Sequence, residues 1–142
     1  MQDFRVRVLG IPAPQGSKNA YVRAGRAILV EASKALPAWR SAVMEAAKQE
    51  LNSMEVAEPF TDPVLLDVTF YLERPKTTKH KRYPAGKPDL DHLVRAVGDS
   101  LTQAGVLKDD SLIVQIVARK IWCSSEAESY PLPGCSIFVT RR

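Results

Sequence analysis

Residues 86–101, GKPDLDHLVRAVGDSL, mark a change of period in the middle of the chain. Before them, PVLLDVTFYL (63–72) alternates, with Val64, Leu66, Val68, Phe70 and Leu72 on one face of a strand. After them, SLIVQIVARKIW (111–122) reads as a second long strand. Between the two, Leu90, Val94, Val97 and Leu101 recur at helical spacing, and Gly105 stands where that helix should end. Strand, helix over about 90–104, strand: this order calls for a helix packed on a sheet.

The flanks extend the pattern. FRVRVLG (4–10) turns Phe4, Val6 and Val8 to one side and Arg5 and Arg7 to the other, as a half-buried strand does. IPAPQGSKN (11–19) is a Pro/Gly loop, and AYVRAGRAILV (20–30) reads as a hairpin around Ala24, Gly25 and Arg26. Ser33 offers an N-cap to a helix of about five turns carrying Leu36, Trp39, Val43, Ala47 and Leu51. Pro37 falls in its first turn, where a missing N–H costs little. CSIFVT (135–140) is a last strand, expected to pair with 111–122 across a Ser/Glu/Pro turn. The expected architecture is α+β: a mostly antiparallel (mixed) β-sheet with two main α-helices packed on it, one domain over residues 1–142, without repeats or low-complexity tracts.

Composition narrows the function classes. A chain of 142 residues with 45% apolar and 25% charged side chains is globular rather than disordered and long enough to bury a core. No apolar run approaches the roughly 20 residues of a membrane span. MQDFRVRVLG has no apolar export core, so a cytoplasmic protein is expected. Cys123 and Cys135 are too few and too far apart for a zinc cluster and read as reduced packing residues. A net charge of +4 favours a polyanionic partner only weakly. Its distribution says more: residues 73–88, ERPKTTKHKRYPAGKP, hold six Lys or Arg and His80 against the single acid Glu73. A smaller basic set lies at Lys18, Arg23 and Arg26. Alone, such a cluster is a solvated loop. Its place directly before an acidic pair turns it toward nucleic acid.

Those acids are Asp89 and Asp91, with the doublet Asp109-Asp110 further on. Singly, each has a structural use. Asp89 after Pro88 is a good N-cap, Asp91 complements the helix dipole, and Asp109-Asp110 is a polar turn. Were the strand after Asp110 to run beneath the helix, the carboxylates would converge at a sheet edge, and three or four of them need a cation. Hard oxygen ligands without a His or Cys partner select Mg2+ or Mn2+, the setting of metal-assisted phosphodiester hydrolysis. Arg95, four residues after Asp91 on the same face, can neutralise a carboxylate or contact a phosphate. Asp99 continues that stripe as a partner for Arg95. His92 points roughly 100° away from Asp91 and reads as a supporting or interfacial residue rather than a ligand. Tyr83, amid the lysines, either stacks on a base or packs.

GKPDLDHLVRAVGDSL followed by AGVLKDDSLIV resembles the RusA family of Holliday junction resolvases, in the form carried by phages and prophages. The family pattern is D-L-D-N-L-x-K-A-x-x-D-A-L, then a glycine, then D-D-x-x-V before a strand. PAPQGSKN and the basic Pro-rich stretch look like the phage branch; the likeness is specific over 86–120 and looser elsewhere. It implies that Asp89, Asp91 and Asp110 are metal-binding catalytic acids, with Asp109 as a helper. Arg95 stands where the family has a catalytic lysine, and His92 where it has asparagine. Arginine keeps the charge and can grip phosphate in two places, but it cannot donate a proton as lysine can. The resemblance further implies Mg2+, with Mn2+ as the alternative, a homodimer, and paired symmetric nicks in a four-way junction during recombination, repair or phage DNA processing. Lys76, Lys79, Lys81, Arg82, Lys87 and Lys18 are the expected DNA contacts, with no small-molecule substrate and no membrane. The dimer contact falls either to 111–122 or to the 20–30 hairpin. The alternatives are a less selective fork or flap nuclease, and a non-catalytic junction-binding protein whose chemistry lapsed with the changes at 92 and 95.

Overall fold

The computed structural model describes every residue except Gln2, Ser17, Ala24, Gly25 and Ala32, and the backbone alone for 18–23 and 26–31. Its centre is β4 (Val64–Leu72), the alternating strand before the basic segment. β4 is buried along most of its length because it has a neighbour on each side. β6 (Gly134–Arg141) pairs with it antiparallel and β5 (Ile113–Trp122) pairs with it parallel. β1 (Asp3–Leu9) joins beyond β6, giving a mixed sheet in the order β1-β6-β4-β5. β2 (Lys18–Arg23) and β3 (Arg26–Glu31) form the separate antiparallel pair expected of a hairpin, with Ala24 and Gly25 outside the described residues.

One expected pairing is overturned. CSIFVT does not lie beside residues 111–122; β6 inserts between β1 and β4 and pairs with both. Alternation tells which face a side chain takes, not which strand stands next to it. The inner position goes to β6, whose Cys135, Ile137 and Val139 are all buried. β5 carries Gln115, Arg119 and Lys120 and takes the edge.

A parallel neighbour cannot be reached by a tight turn; it needs a crossover of a dozen or more residues. Here the crossover contains α2 (Leu90–Ala104). Its buried face centres on Leu93, Val97 and Leu101, while Leu90 and Val94, expected in the stripe, are half-buried at its margin. Gly105 ends the helix in the left-handed conformation at φ 89°, where a side chain would be strained. α1 (Leu36–Ser53) starts two residues later than Ser33 suggests: Ala35 holds the N-cap position and Pro37 the first turn. Trp39, Val43 and Ala47 of α1 meet Phe4, Leu66, Val68 and Ile137 in the core shared with α2. Beyond α2, the Phe60 N–H donates to the Val106 carbonyl (2.9 Å) and the Lys108 N–H to the Phe60 carbonyl (3.0 Å), which fixes the chain just before Asp109. No helix of the described residues is long and apolar enough to cross a membrane.

On the opposite face of the sheet, Arg7 is held by three carbonyls, donating to Val8 (2.9 Å), Leu132 (3.0 Å) and Cys135 (3.1 Å). Its guanidinium lies over Tyr130 (4.1 Å) and Tyr71 (4.7 Å). Gly134, which opens β6, has no room for a side chain beneath this clamp: a Cβ would fall on the Val8 carbonyl oxygen and 2.7 Å from Arg7 Nη1. Gly134→Ala should therefore cost about 2–4 kcal/mol and lower Tm by about 10 °C, as read by thermal denaturation. An unchanged Tm would show that β1 and β6 can part here without loss.

Candidate metal and nucleic-acid site

The start of α2 sets the first part of the site. Asp89 occupies the N-cap position, but its side chain makes no capping hydrogen bond; only its backbone carbonyl is engaged, by the Leu93 N–H at 3.1 Å. The carboxylate is thus left out of the structural role that the sequence offers it. Asp89 and Asp91 have side chains 57% and 82% exposed, and His92 stands between them. Its Nδ1 is 3.9 Å from an Asp89 oxygen and its Nε2 3.9 Å from an Asp91 oxygen. One ligand atom from each of the three lies within 4.8 Å of the others. His92 was expected outside this group. Its i, i+3 spacing from Asp89 is the signal that places the two on one helical face.

The second part lies two turns further along. Asp99 follows Asp91 by eight residues, about 12 Å along the helix axis. β5 begins near this turn, with Ile113 Cδ1 3.7 Å from where a Cβ on Gly98 would stand. Asp110 therefore meets α2 at Asp99 and is not part of the group at Asp89, Asp91 and His92. Partial desolvation, then the facing Asp99 carboxylate, push the Asp110 carboxyl above its ordinary range. Asp109 caps the 3-10 turn Asp110–Leu112, accepting from the Ser111 N–H at 2.8 Å, and hydrogen bonding to Ser111 holds its carboxyl below the ordinary range. The acids thus form a row with Arg95 between its two ends.

The Pro/Gly loop at 11–16 lies along this row. The Gln15 N–H donates to the His92 carbonyl at 3.0 Å, and Gln15 Nε2 donates to the Asp99 carboxylate. Gln15 Oε1 is buried and has no hydrogen-bond partner among the described residues. Gly16 sits at φ 98°, and a Cβ there would fall on Nη1 of Arg95. Gln15 and Gly16 had no role in the sequence reading; nothing local in PAPQGSKN points at a helix some 80 residues away. The donor chemistry suits a hard divalent ion: exposed carboxylates, with one imidazole among them.

The basic segment flanks the start of α2. Lys76, Lys79, Lys81, Arg82 and Lys87 are all exposed. Arg74, Lys81 and Arg82, together with Arg119 of β5, line a groove of about 1070 Å3 whose lining also includes Glu126 and Glu128. Arg74 and Arg119 are cations of this groove that the sequence reading did not single out. Exposed Tyr83 lies beside Arg82, 5.8 Å from its guanidinium carbon. The Lys18 side chain is outside the described part of the molecule.

A helix start with exposed carboxylates, directly after an exposed cationic segment, suits an enzyme that works on nucleic acid. The chain belongs to the RusA family: the family model described as Endodeoxyribonuclease RusA matches residues 12–128. It is accordingly an endodeoxyribonuclease of the Holliday junction resolvase family. The match takes in the Gln15–Gly16 loop, the acidic row and all of β5. The chain is also similar to the uncharacterized protein YqaN of Bacillus subtilis (strain 168), 25% identical over 133 residues that cover 86% of this chain and 89% of that one.

The contact between Gly16 and Arg95 is testable. Gly16→Ala should displace the guanidinium and cut the cleavage rate by about tenfold or more. Arg95→Ala should then cost little further in the Gly16→Ala background. Full additivity of the two losses would mean that the loop does not place Arg95.

Proposed function

We propose that the protein resolves four-way DNA junctions by metal-assisted hydrolysis, nicking two strands of like polarity at symmetric positions. The observation that carries this reading is the group Asp89, Asp91 and His92, whose ligand atoms lie within 4.8 Å of one another at a helix start that leaves the Asp89 carboxylate uncapped. Carboxylate donors favour Mg2+ or Mn2+, and the imidazole in the set tips the choice toward Mn2+. When bound, the ion supplies a Lewis acid for the scissile phosphate. Arg95, one turn beyond Asp91, grips the phosphate as its charge grows. Asp110, with Asp109 beside it and Asp99 facing it, adds carboxylates whose mutual repulsion a cation relieves. Lys76, Lys79, Lys81, Arg82, Lys87 and Lys18 contact the DNA backbone without reading sequence, joined by Arg74 and Arg119 of the groove. The setting is recombination or repair of DNA in the cytoplasm, with phage DNA processing as the narrower case.

The test is direct. Pure protein is incubated with a labelled four-way junction, a fork and a linear duplex, in Mn2+, Mg2+ or EDTA. Paired cuts in the junction are expected, faster in Mn2+ than in Mg2+ and absent in EDTA. Asp89→Asn, Asp91→Asn and Asp110→Asn should each lose about two orders of magnitude in cleavage while junction binding in EDTA persists. Near-normal cutting by all three variants would place the metal elsewhere. Equal cutting of fork and duplex would make this a less selective nuclease, and tight binding without cutting a junction-binding protein.

Two strands need two acidic rows, and a two-fold dimer matches the symmetry of the junction. We assign the contact to β5 rather than to the 20–30 hairpin. β5 is a ten-residue edge strand with Val114 61%, Ile116 52% and Val117 36% exposed, the kind of edge another chain covers. Val114→Lys with Ile116→Lys should give a monomer by sedimentation that loses paired cuts. A variant that stays dimeric would move the interface away from β5.

A further inference from the structure

Lys120 has no part in the reading above, yet its ammonium sits at the entrance to the acidic row. Half of the β5 side chains are exposed; Lys120 is half-buried and reaches back over the end of the basic segment. Its Nζ donates to the carbonyls of Gly86 (2.5 Å) and Pro88 (2.8 Å), the residues on either side of Lys87. Pro88 is followed directly by Asp89. Two residues on, and on the same face of β5, Trp122 Nε1 donates to the His80 carbonyl at 2.8 Å. The basic segment is therefore tied to β5 at two points, one near its middle and one against the first metal-binding acid.

Asp89 depends on that second tie. As the N-cap it has extended backbone angles, so the helix does not hold its side chain, and no capping bond orients the carboxylate. What precedes it is a non-helical turn, and the donors that hold this turn belong to Lys120. We propose that Lys120 is a positioning residue: it fixes the 86–88 turn so that the Asp89 carboxylate stands beside Asp91 and His92 for the metal. This rests on the metal-binding reading of that group. Charge and position predict opposite signs here. A positive charge beside a cation site weakens metal binding, so removal of the charge alone would tighten it. Loss of the tie loosens Asp89 and weakens it.

The experiment measures Mn2+ binding to the full chain by calorimetry and electron paramagnetic resonance, with Tm recorded for every variant. Lys120→Met, which keeps the apolar stem, should weaken Mn2+ binding about tenfold. Lys120→Arg, which restores charged donors, should recover most of the loss. Added to Asp89→Asn, Lys120→Met should cost nothing more, because the carboxylate it positions is gone. Trp122→Phe removes the other tie and should leave Mn2+ affinity unchanged. The proposal is overturned if Lys120→Met binds Mn2+ as tightly as the wild type or tighter, if its loss adds fully to that of Asp89→Asn, or if Trp122→Phe weakens the metal equally. Wild-type protein that binds no Mn2+ removes the metal site itself and Lys120's part in it; wild type that binds while Lys120→Met binds equally removes only the role of Lys120.

Discussion

β4 and β5 are parallel, and most of the site follows from that pairing. Two parallel neighbours must be joined by a chain that leaves one end of the sheet and re-enters at the other. The chain leaves β4 at Leu72 and re-enters β5 at Ile113, beside Val64. The return includes one helix, α2, preceded by a long segment at the carboxyl end of β4. In open sheets with helical crossovers, the carboxyl ends of the strands are where such segments gather and ligands bind. Here that segment is cationic and runs into the acidic start of α2. Had β5 paired antiparallel through a short turn, neither the segment nor the helix would lie at this edge.

The same crossover explains why the acids form a row and not a single cluster. Asp89 and Asp91 enter with the first turn of α2, and Asp110 comes back with the start of β5, at the level of Asp99. Helical rise puts Asp99 about 12 Å along the axis from Asp91, and Asp110 faces Asp99. Arg95 lies between them, and the loop at Gln15 and Gly16 covers the middle of the row, holding the His92 carbonyl and the Asp99 carboxylate. Carboxylates in such a row repel one another and stabilise nothing by themselves. Their use lies in what they can bind, a usual pattern at functional sites, where charge is arranged against folding stability.

The parts legible in the sequence are those set by local period. β4 and α2 came out within a residue of their bounds because apolar spacing and Gly105 determine them. The strand at 135–140 was legible as a strand but not as an inner one, since alternation carries no information about neighbours. Ser33 failed as a cap because the helix begins only at Leu36, which gives the N-cap position to Ala35. His92 was misplaced by taking the angle from Asp91 alone; its ring is long enough to lie near both carboxylates. Asp99 facing Asp110, and Gly16 against Arg95, depend on where a distant strand and loop arrive. No pattern within either segment encodes that.

β5 then stands out as the element on which several demands fall together. Its inner edge supplies the parallel pairing that creates the crossover, and Asp110 lies just ahead of its first residue. Near its far end Lys120 and Trp122 hold the basic segment, and Arg119 faces the groove. Its outer edge is long and apolar, a liability in a free monomer. Any contact made along this edge lies next to both the basic segment and Asp110. A second copy seated there would therefore bear on the spacing of the acids and on the lie of the basic segment, which ties assembly to cleavage more closely than a contact elsewhere on the sheet would.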